Sequence, residues 1–436
     1  MKIEQIYTGC LAQGAYYIES DGEVAIIDPL REVQHYIDKA QANNATIKYI
    51  FETHFHADFV SGHLTLSQKT GAPIVYGATA EPTFQAHIAT DGEVFKIGKL
   101  TIIALHTPGH TMESTTYLLR DENGKDHAIF SGDTLFLGDV GRPDLAQKAA
   151  SMTQEQLAAT LFHSLRTKIM PLADDVIVYP AHGAGSACGK NLSKETVGTL
   201  GEQKRTNYAL RADMTEVEFV IEVTDGLLPP PAYFPENVRL NKNGYEAIDT
   251  IIEKNKAFTP AEFKQAADDA LILDVRDADS FGKVHIPGAI FIGIDGGFAP
   301  WVGSLITDIN RPIILVTPEG REQETITRLA RVGYDNTLGY LAGGMQSWID
   351  AGLETASIGR ITANELETLM NNGEESVIDV RKPGEYSSAH IANVPNLPLD
   401  FINDHIADFP SQKTTYLHCA GGYRSMIAAS ILKARG

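Results

Sequence analysis

The second half of the chain contains an internal repeat, and this feature constrains the fold more than any other. Three short segments recur in the same order: residues 259–263 match 362–366, residues 274–276 match 379–381, and residues 285–289 match 390–394. A spacing of about 105 residues is too long for one unit of a solenoid. We therefore predict a duplicated domain in which each copy alternates strands with helices.

The two copies differ in length and at one chemically important position. We place the first copy at residues 258–353 and the second at residues 358–436. Gly436 aligns with Gly333 of the first copy, so we expect the second copy to lack its final strand and helix. Thr317 in the first copy stands where the second copy has Cys419. The copies are therefore expected to differ in chemistry.

The composition narrows the classes of function. With 36 basic and 56 acidic residues the formal charge is −20, which argues against a nucleic acid or an anionic membrane as the main partner. No apolar run approaches the ~18 residues of a transmembrane helix, and the first residues lack the basic flank and apolar stretch of a signal peptide. Three cysteines in 436 residues cannot form a disulfide framework. We therefore expect a cytoplasmic protein.

Residues 1–245 carry histidines and carboxylates directly after apolar, strand-like runs. They are His54, His56 and Asp58 in one HxHxD motif, followed by His110, Asp133 and His182. A single histidine in such a place is most often a hydrogen-bonded loop residue, but side chains at several strand ends can converge on one cleft. Imidazole and carboxylate groups together suit zinc, iron or manganese. The ordered set therefore predicts a metal site.

This ordered set resembles the metallo-β-lactamase fold family, and the resemblance covers residues 1–245. It implies an αββα sandwich with the metal ions at one edge. Binuclear hydrolases of the family carry HxHxDH, whereas Phe59 stands at the last position here. A second metal ion would lose a neutral nitrogen ligand, so we expect one metal ion per chain. His63, four residues further on, is the alternative source of that nitrogen.

Three further motifs are similar to the persulfide dioxygenase branch of this family: GDVGRPDL at residues 138–145, YPAHG at 179–183 and YFPENV at 233–238. The resemblance implies one Fe(II) per chain, O2 as co-substrate and oxidation of a low-molecular-weight persulfide to sulfite. Two histidines and one carboxylate are the ligand set of non-haem Fe(II) oxygenases. The implied ligands are His54, His110 and Asp133, with His56 beside the metal as a weaker ligand or an orienting group, and with Asp58 and His182 orienting the ligands.

Two residues near this motif set have alternative roles. Arg142 either anchors a carboxylate of the thiol carrier, which a guanidinium fork suits, or pairs with Asp139 or Asp144 in its own loop. Cys188 either relays sulfur near the metal or is a buried structural thiol. Both alternatives remain open from the sequence.

The segment LHCAGGYRS at residues 417–425 is the second chemical signal. Cys419 follows a strand-like run and opens a glycine-containing loop before a helix predicted to start at Ser425. Free N–H groups and the helix dipole at such a position favour a thiolate. Arg424 adds a positive charge. We therefore predict Cys419 and Arg424 as catalytic residues that stabilise a thiolate or a persulfide anion.

This loop, together with residues 379–381, Glu385 and His390, resembles a rhodanese (sulfurtransferase) domain. The alternative is a phosphatase loop of the Cys-X5-Arg type, but the spacing here is Cys-X4-Arg, and a shorter loop fits a sulfur atom better than a phosphate. A threonine cannot hold a persulfide. The first copy therefore resembles a silent rhodanese, which we expect to serve as a spacer or docking surface.

The leading hypothesis is a sulfide detoxification enzyme that resembles bacterial fusions of a persulfide dioxygenase with rhodanese domains. Such a fusion would oxidise a thiol persulfide to sulfite and, through Cys419, give thiosulfate. We expect these small molecules as partners, together with a homo-oligomer. The alternatives are a thioester hydrolase similar to glyoxalase II that carries a sulfurtransferase, and a non-enzymatic persulfide sensor.

Overall fold

The computed structural model describes residues 1–190, 192–371 and 376–436. The chain divides into two compact units, made up mainly of Met1–Ala247 and of Ile248–Gly436. Within the described ranges, every helix is too short or too polar to cross a lipid bilayer.

The first unit contains two six-stranded sheets. The first sheet has the order β1-β2-β3-β4-β5-β6 and the second has the order β12-β11-β10-β9-β8-β7. The strands are β1 Lys2–Thr8, β2 Gln13–Ser20, β3 Glu23–Ile27, β4 Thr46–Phe51, β5 Ile74–Tyr76, β6 His87–Ile88, β7 Val94–Ile97, β8 Leu100–His106, β9 Thr115–Arg120, β10 Asp126–Gly132, β11 Ile177–Pro180 and β12 Gly198–Thr199.

The helices of this unit follow the strands in the chain. They are α1 Gln34–Ala42, α2 His63–Thr70, α3 Gln147–Ala150, α4 Gln154–Ser164, α5 Leu200–Thr206, α6 Glu216–Thr224 and α7 Phe234–Asn243, with a π-helical turn at Leu165–Ile169 and a 3-10 turn at Tyr208–Leu210. The prolines at residues 229–231 lie between α6 and α7 outside regular structure, as proline geometry requires.

Apolar side chains on both faces of both sheets form the layers. One buried cluster joins the facing sides of the two sheets and includes Tyr16, Ile27, Ile102 and Phe130. A second cluster packs α1 and α2 on the outer face of the first sheet, and a third packs α4, α5 and α6 on the outer face of the second. Because sheets with two apolar faces must be covered on both sides, the result is the predicted αββα sandwich.

The second unit begins with α8 and contains a five-stranded parallel sheet of order β13-β17-β16-β14-β15. Its elements up to residue 350 are α8 Ile248–Lys254, β13 Lys256–Phe258, α9 Pro260–Ala266, β14 Leu271–Asp274, α10 Ala278–Lys283, β15 Ile290–Phe291, α11 Phe298–Leu305, β16 Ile313–Val316, α12 Glu322–Arg331, β17 Thr337–Leu341 and α13 Gly344–Asp350.

The second copy contributes a two-stranded parallel sheet, β18-β19. Its elements are α14 Ala363–Asn371, β18 Ser376–Asp379, α15 Pro383–Ser388, α16 Ile402–His405, β19 Thr415–His418 and α17 Tyr423–Ala434, with 3-10 turns at Leu399–Phe401 and Ile406–Asp408. Thus α17 begins at Tyr423, two residues before the predicted start. Gly422, at φ 88°, turns the chain into the helix there.

The same hydrogen bonds recur in both copies. Arg276 donates to the carboxylate of Asp274 and to the Val284 carbonyl. Arg381 donates in the same way to Asp379 and to the carbonyl of Ala389. This Asp-x-Arg brace fixes the turn after β14 in the first copy and after β18 in the second, where three consecutive residues are identical in the two copies.

Candidate active sites

Loops that follow four strands of the first unit carry the predicted metal ligands. His54 follows β4, His110 follows β8, Asp133 follows β10 and His182 follows β11. All four side chains are buried. One ligand atom from each of His54, His110 and Asp133 lies within 4.8 Å of the other two. The structure therefore brings together the three residues implied as iron ligands.

Hydrogen bonds fix the tautomers of the two histidines. His110 Nδ1–H donates to the Arg142 carbonyl at 2.9 Å. His54 Nδ1–H donates to the Thr53 hydroxyl at 3.0 Å, because that hydroxyl gives its own proton to Asp28 Oδ2 at 2.8 Å. Burial, followed by the charges of nearby histidines, lowers the pKa of His54. With Nδ1 engaged in these hydrogen bonds, each ring presents Nε2 as its ligand atom.

Asp133 faces these two lone pairs. Its Oδ2 lies 3.4 Å from His110 Nε2 and 3.9 Å from His54 Nε2. Neither carboxylate oxygen has a hydrogen-bond partner among the described residues, although both are buried. Buried acceptors that face each other repel unless a cation lies between them. Donor atoms about 2.1 Å from one ion lie within about 4 Å of each other, so this set fits a metal ion.

Asp58 and His182 form a second group beside Asp133. His182 Nδ1–H donates to the Ala12 carbonyl at 3.2 Å. Its Nε2 lies 3.5 Å from Asp58 Oδ2 and 3.5 Å from Asp133 Oδ1. A proton on this nitrogen would be shared between the two carboxylates. His182 is thus placed to hold the orientation of Asp133.

Phe59 and His63 are the two positions that the sequence offered as a further nitrogen ligand for this second group. Phe59 is fully buried, and its ring packs on that of His56 with centroids 4.4 Å apart. His63 faces Glu52, with Nδ1 3.6 Å from Oε1. In the described part of the chain, His63 does not join the group of Asp58 and His182. Neither residue supplies the ligand that the HxHxDH pattern would provide.

His56 lies between the metal ligands and a buried pair of carboxyl groups. Its Nε2 is 3.1 Å from Asp28 Oδ1 and 3.6 Å from Glu52 Oε2. Burial alone would lower the pKa of His56, but the negative charge of Asp28 and its hydrogen bond outweigh burial and raise it to about 9. One ligand atom of His56 also lies within 4.8 Å of ligand atoms of Asp58 and His182. Both alternatives for His56, a weaker ligand or an orienting group, therefore stay predictions.

Asp28 is a residue of this site that the sequence pattern did not indicate. It accepts from the Thr53 backbone N–H and from the Thr53 hydroxyl, both at 2.8 Å, and it contacts His56. Its φ of 49° is uncommon for a residue other than glycine. The available signal is its place after the strand-like run EVAII, which by itself indicates only the end of a strand.

Replacing Asp28 by asparagine is expected to weaken iron binding by about tenfold to a hundredfold. The amide keeps the size of the side chain but loses the charge that faces His56 and one acceptor for Thr53. Anaerobic calorimetric titration with Fe(II) measures the change. Asp121→Asn, a charge removal on an exposed turn, is the matched control. Equal affinity in the Asp28 variant and the control would contradict the orienting role.

Arg142 takes the second of its two alternative roles. Its Nε and Nη2 donate to the two oxygens of Asp144 at 2.7 Å each, and Nη2 also donates to the Leu228 carbonyl at 2.6 Å. The side chain is buried. The fork is therefore paired with Asp144, which favours the alternative of a partner in its own loop, and the carboxylate anchor stays a prediction. Arg142 instead orders the loop whose carbonyl orients His110.

The thiol of Cys188 lies within 4.8 Å of ligand atoms of Asp133 and His182 and is buried. Burial, followed by the negative charges of Asp58 and Asp133, raises its pKa well above the ordinary value. The thiol form is a poor nucleophile. This environment speaks for the structural alternative, and the sulfur relay stays a prediction.

In the second unit, Cys419 follows β19 and lies in the loop before α17. The Gly422 backbone N–H donates to its sulfur at 3.1 Å, and the Ser425 N–H at 3.5 Å. Burial alone would raise the pKa of Cys419, but the Ser425 hydroxyl and these N–H groups outweigh burial and lower it. The loop is built to hold a negatively charged sulfur atom.

Arg424 supports this loop in a way the sequence did not indicate. Its Nη1 and Nη2 donate to the two oxygens of Glu385 at 2.5 and 2.8 Å. The guanidinium lowers the pKa of Glu385 to about 2, so this pair stays charged at neutral pH. Arg424 is therefore tied to α15 by a bidentate pair, and the direct donors to the sulfur are the backbone N–H groups of Gly422 and Ser425. The Cys419 thiol donates to the Ser425 hydroxyl at 3.6 Å, a contact in which the hydroxyl would become the donor once the sulfur is a thiolate.

Ser425→Ala is expected to raise the thiol pKa of Cys419 because a hydroxyl donor is lost. The midpoint of iodoacetamide alkylation against pH should lie below that of free cysteine in the native protein and move upward in the variant. Mass spectrometry of the Cys419 peptide follows the reaction. Ser388→Ala, on the exposed end of α15, provides a matched control. An unchanged midpoint would show that the Ser425 hydroxyl does not stabilise the Cys419 thiolate.

Thr317 occupies the corresponding place in the first copy, directly after β16. Its hydroxyl donates to Glu322 Oε1 at 3.3 Å. A carboxylate therefore lies where the second copy presents N–H donors to sulfur. The first copy has neither the thiol nor the electrostatic surroundings for a persulfide.

Comparisons with known proteins match both units of the chain. A model of the metallo-β-lactamase superfamily matches residues 8–182. A model of the rhodanese-like domain matches residues 259–351 and, separately, residues 362–436. A solved structure of a metallo-beta-lactamase from Staphylococcus aureus subsp. aureus COL is 30% identical with a TM-score of 0.68, covering 78% of this chain and 99% of that one. The chain belongs to the metallo-β-lactamase superfamily and carries rhodanese-like domains behind the superfamily domain.

Relatives of the first unit have two kinds of activity in their names. Persulfide dioxygenase ETHE1, a mitochondrial protein of Mus musculus, is 30% identical over 225 residues, which are 50% of this chain and 79% of that protein. A cytoplasmic hydroxyacylglutathione hydrolase of Arabidopsis thaliana is 28% identical over 241 residues, which are 50% of this chain and 91% of that protein. Sequence identity to these relatives does not distinguish an oxygenase from a hydrolase. The two activities must be distinguished by the chemistry of the site.

Proposed function

We propose that the first unit is an iron-dependent persulfide dioxygenase and that Cys419 makes the second unit a sulfurtransferase. The balanced oxidation is RSSH + O2 + H2O → RSH + sulfite + 2H⁺. In the transfer, sulfite attacks the outer sulfur of the Cys419 persulfide, the S–S bond breaks, and thiosulfate and the Cys419 thiolate leave. Because one chain would carry both activities, the effective concentration of sulfite at Cys419 would be raised.

The observation that carries the oxygenase proposal is the set of His54, His110 and Asp133. Two imidazole nitrogens converge there with one buried carboxylate that has no hydrogen-bond partner among the described residues. A mononuclear Fe(II) ion held by this set would supply the redox chemistry for oxidising sulfur with O2. Phe59 supplies no nitrogen at the last position of the HxHxDH pattern, which supports one metal ion, and His56 is the remaining imidazole beside Asp58 and His182.

The chain's own groups orient the site. The Arg142 carbonyl holds His110, and the Asp28–Thr53 pair holds His54. His182 Nε2 lies 3.5 Å from Asp58 Oδ2 and 3.5 Å from Asp133 Oδ1, so this ring would help to orient both carboxylates. The buried ring of Phe59 packs on that of His56. These contacts would hold the ligand atoms in place before a persulfide binds.

Product analysis tests the proposal. Glutathione persulfide is the probe, O2 consumption is followed with an electrode, and sulfite and thiosulfate are separated by chromatography. We expect equimolar O2 consumption and sulfite formation, with thiosulfate appearing when a sulfur donor for Cys419 is present. Absence of O2 consumption by the iron-loaded protein would overturn the oxygenase proposal.

The second candidate is a thioester hydrolase with an attached sulfurtransferase. The similarity to hydroxyacylglutathione hydrolases favours it, as do Asp58, His182 and Asp133, which retain the carboxylates and one histidine of a second metal site. Hydrolysis of a hydroxyacylglutathione without O2 consumption would support this candidate instead.

Phe59→His is expected to restore that second metal site. The new imidazole would replace an apolar ring beside Asp58, so the zinc-loaded variant should bind two ions per chain where the native protein binds one. Elemental analysis after equilibrium dialysis measures the ratio, and Phe55→His, a like substitution in the same loop, is the control. Two zinc ions per chain in the native protein would show that Phe59 does not limit occupancy.

A further inference from the structure

We propose that the silent rhodanese copy positions the Cys419 loop through Tyr423, whose ring is seated on Gly293 and Gly296 of the first copy. The inference rests on the proposed sulfurtransferase role of Cys419 and assigns a task to the copy that lacks a catalytic thiol. Gly293, Gly296 and Tyr423 are positioning residues, since they act on the sulfur through the loop.

Tyr423 contacts the first copy through a hydrogen bond from its hydroxyl and through packing of its ring. The Tyr423 hydroxyl donates to the Gly293 carbonyl at 2.8 Å. Its ring lies near that of Phe291, with centroids 5.9 Å apart. Burial raises the pKa of Tyr423, which keeps the phenol protonated as a donor. One side chain of the active loop therefore ends on the backbone of the silent copy.

Glycine is required at the seat because the ring leaves no room for a Cβ atom. A Cβ on Gly296 would lie 2.3 Å from Tyr423 Cζ, and one on Gly293 would lie 3.2 Å from Cε2. Real Cβ contacts are not found below 3.0 Å, so a side chain at position 296 must displace the ring. Glycine at position 296 is thus what lets the Tyr423 ring lie this close to the backbone of the first copy.

The position of Tyr423 in the chain connects the seat to the sulfur. Tyr423 is the first residue of α17 and lies between Gly422 and Ser425, whose N–H groups donate to Cys419. A shift of the Tyr423 backbone moves both donors, because adjacent Cα atoms are held about 3.8 Å apart. The seat therefore fixes the distance between the thiolate and its donors.

A second tether holds the same helix. The Phe291 backbone N–H donates to the hydroxyl of Ser430 at 2.9 Å, and Ser430 is buried. Ser430 lies two turns further along α17 than Tyr423. Two anchors on one helix define its direction as well as its start, which a passive spacer would not need.

A double-mutant cycle tests the proposal. The variants are Gly296→Ala, Tyr423→Ala and their combination, with Tyr423→Phe to remove the hydrogen bond alone. Gly359→Ala is the matched control, because a Cβ there would meet open space. The readouts are the pH midpoint of Cys419 alkylation, the rate of sulfur transfer from thiosulfate to cyanide, and thermal unfolding.

We expect Gly296→Ala to move the alkylation midpoint upward and to slow sulfur transfer roughly tenfold. The same substitution should have no further effect in the Tyr423→Ala protein, because the clashing ring is gone. Tyr423→Phe should give part of the shift, and Gly359→Ala none. Equal effects of Gly296→Ala in both backgrounds, or an unmoved midpoint in a folded Gly296→Ala protein, would overturn the proposal.

The alkylation readout separates this inference from the proposed function. If the native protein shows no sulfur transfer, the sulfurtransferase proposal fails, whereas the midpoint of Cys419 still reports whether the seat acts on the thiol. If transfer is present and the midpoint does not respond to the cycle, only the positioning role fails.

Discussion

Asp133→Ala is expected to abolish both iron binding and O2 consumption. Asp133 is the only carboxylate in the set with His54 and His110, and its negative charge would balance part of the charge of an ion held by the three donor atoms. We expect the iron content to fall to a tenth or less and the oxidation rate to fall at least about a hundredfold. Anaerobic reconstitution followed by elemental analysis and O2 electrode traces measures both.

The control for this variant is Asp175→Ala, which removes an exposed carboxylate. Circular dichroism shows whether each variant is folded. Sulfur transfer by Cys419 should persist in Asp133→Ala, because that reaction uses the other unit. Full O2 consumption by a folded Asp133→Ala protein would exclude Asp133 as a ligand.

Cys419→Ser is expected to abolish sulfur transfer from thiosulfate to cyanide, with a loss of at least about a thousandfold. A serine hydroxyl stays protonated in a cradle that stabilises a thiolate, and it cannot carry a persulfide. O2 consumption with added glutathione persulfide should be retained. Thiocyanate formation measures the first activity and the O2 electrode the second.

The matched control is Cys10→Ser, which removes a thiol outside both candidate sites. It should leave both activities unchanged. Cys188→Ser answers a separate question, because loss of thiosulfate formation from a persulfide, with both partial reactions intact, would support a relay through that thiol. If sulfur transfer persisted in Cys419→Ser, a different nucleophile would carry the sulfur. Cys419 would then have at most the role of a persulfide sensor.

The sequence predicted the positions of the reactive groups better than their partners. His54, His110 and Asp133 follow apolar runs, and because strands of one sandwich end at a common edge, their convergence was predictable. Phe59 was informative because the residue type at this position of the HxHxDH motif determines whether the position can supply a metal ligand. The duplication was predictable because the Asp-x-Arg brace needs the same aspartate and arginine in each copy.

Partnerships between side chains were harder to predict. The sequence left Arg142 between two roles and gave no partner for Arg424, because local pattern does not fix how a loop folds back. The orienting role of Asp28 depends on a left-handed backbone at a strand end. The seat of Tyr423 joins residues more than a hundred positions apart, and a glycine in a loop does not by itself indicate which ring packs on it.

The metal content of the chain, measured together with its O2 consumption, distinguishes an iron-dependent dioxygenase from a binuclear zinc hydrolase. Protein reconstituted with Fe(II) and Zn(II) in competition is analysed for both elements and then supplied with glutathione persulfide. We predict one iron ion per chain and sulfite formed in step with O2 consumed. Two zinc ions per chain, with hydrolysis of a hydroxyacylglutathione and no O2 consumption, would contradict it.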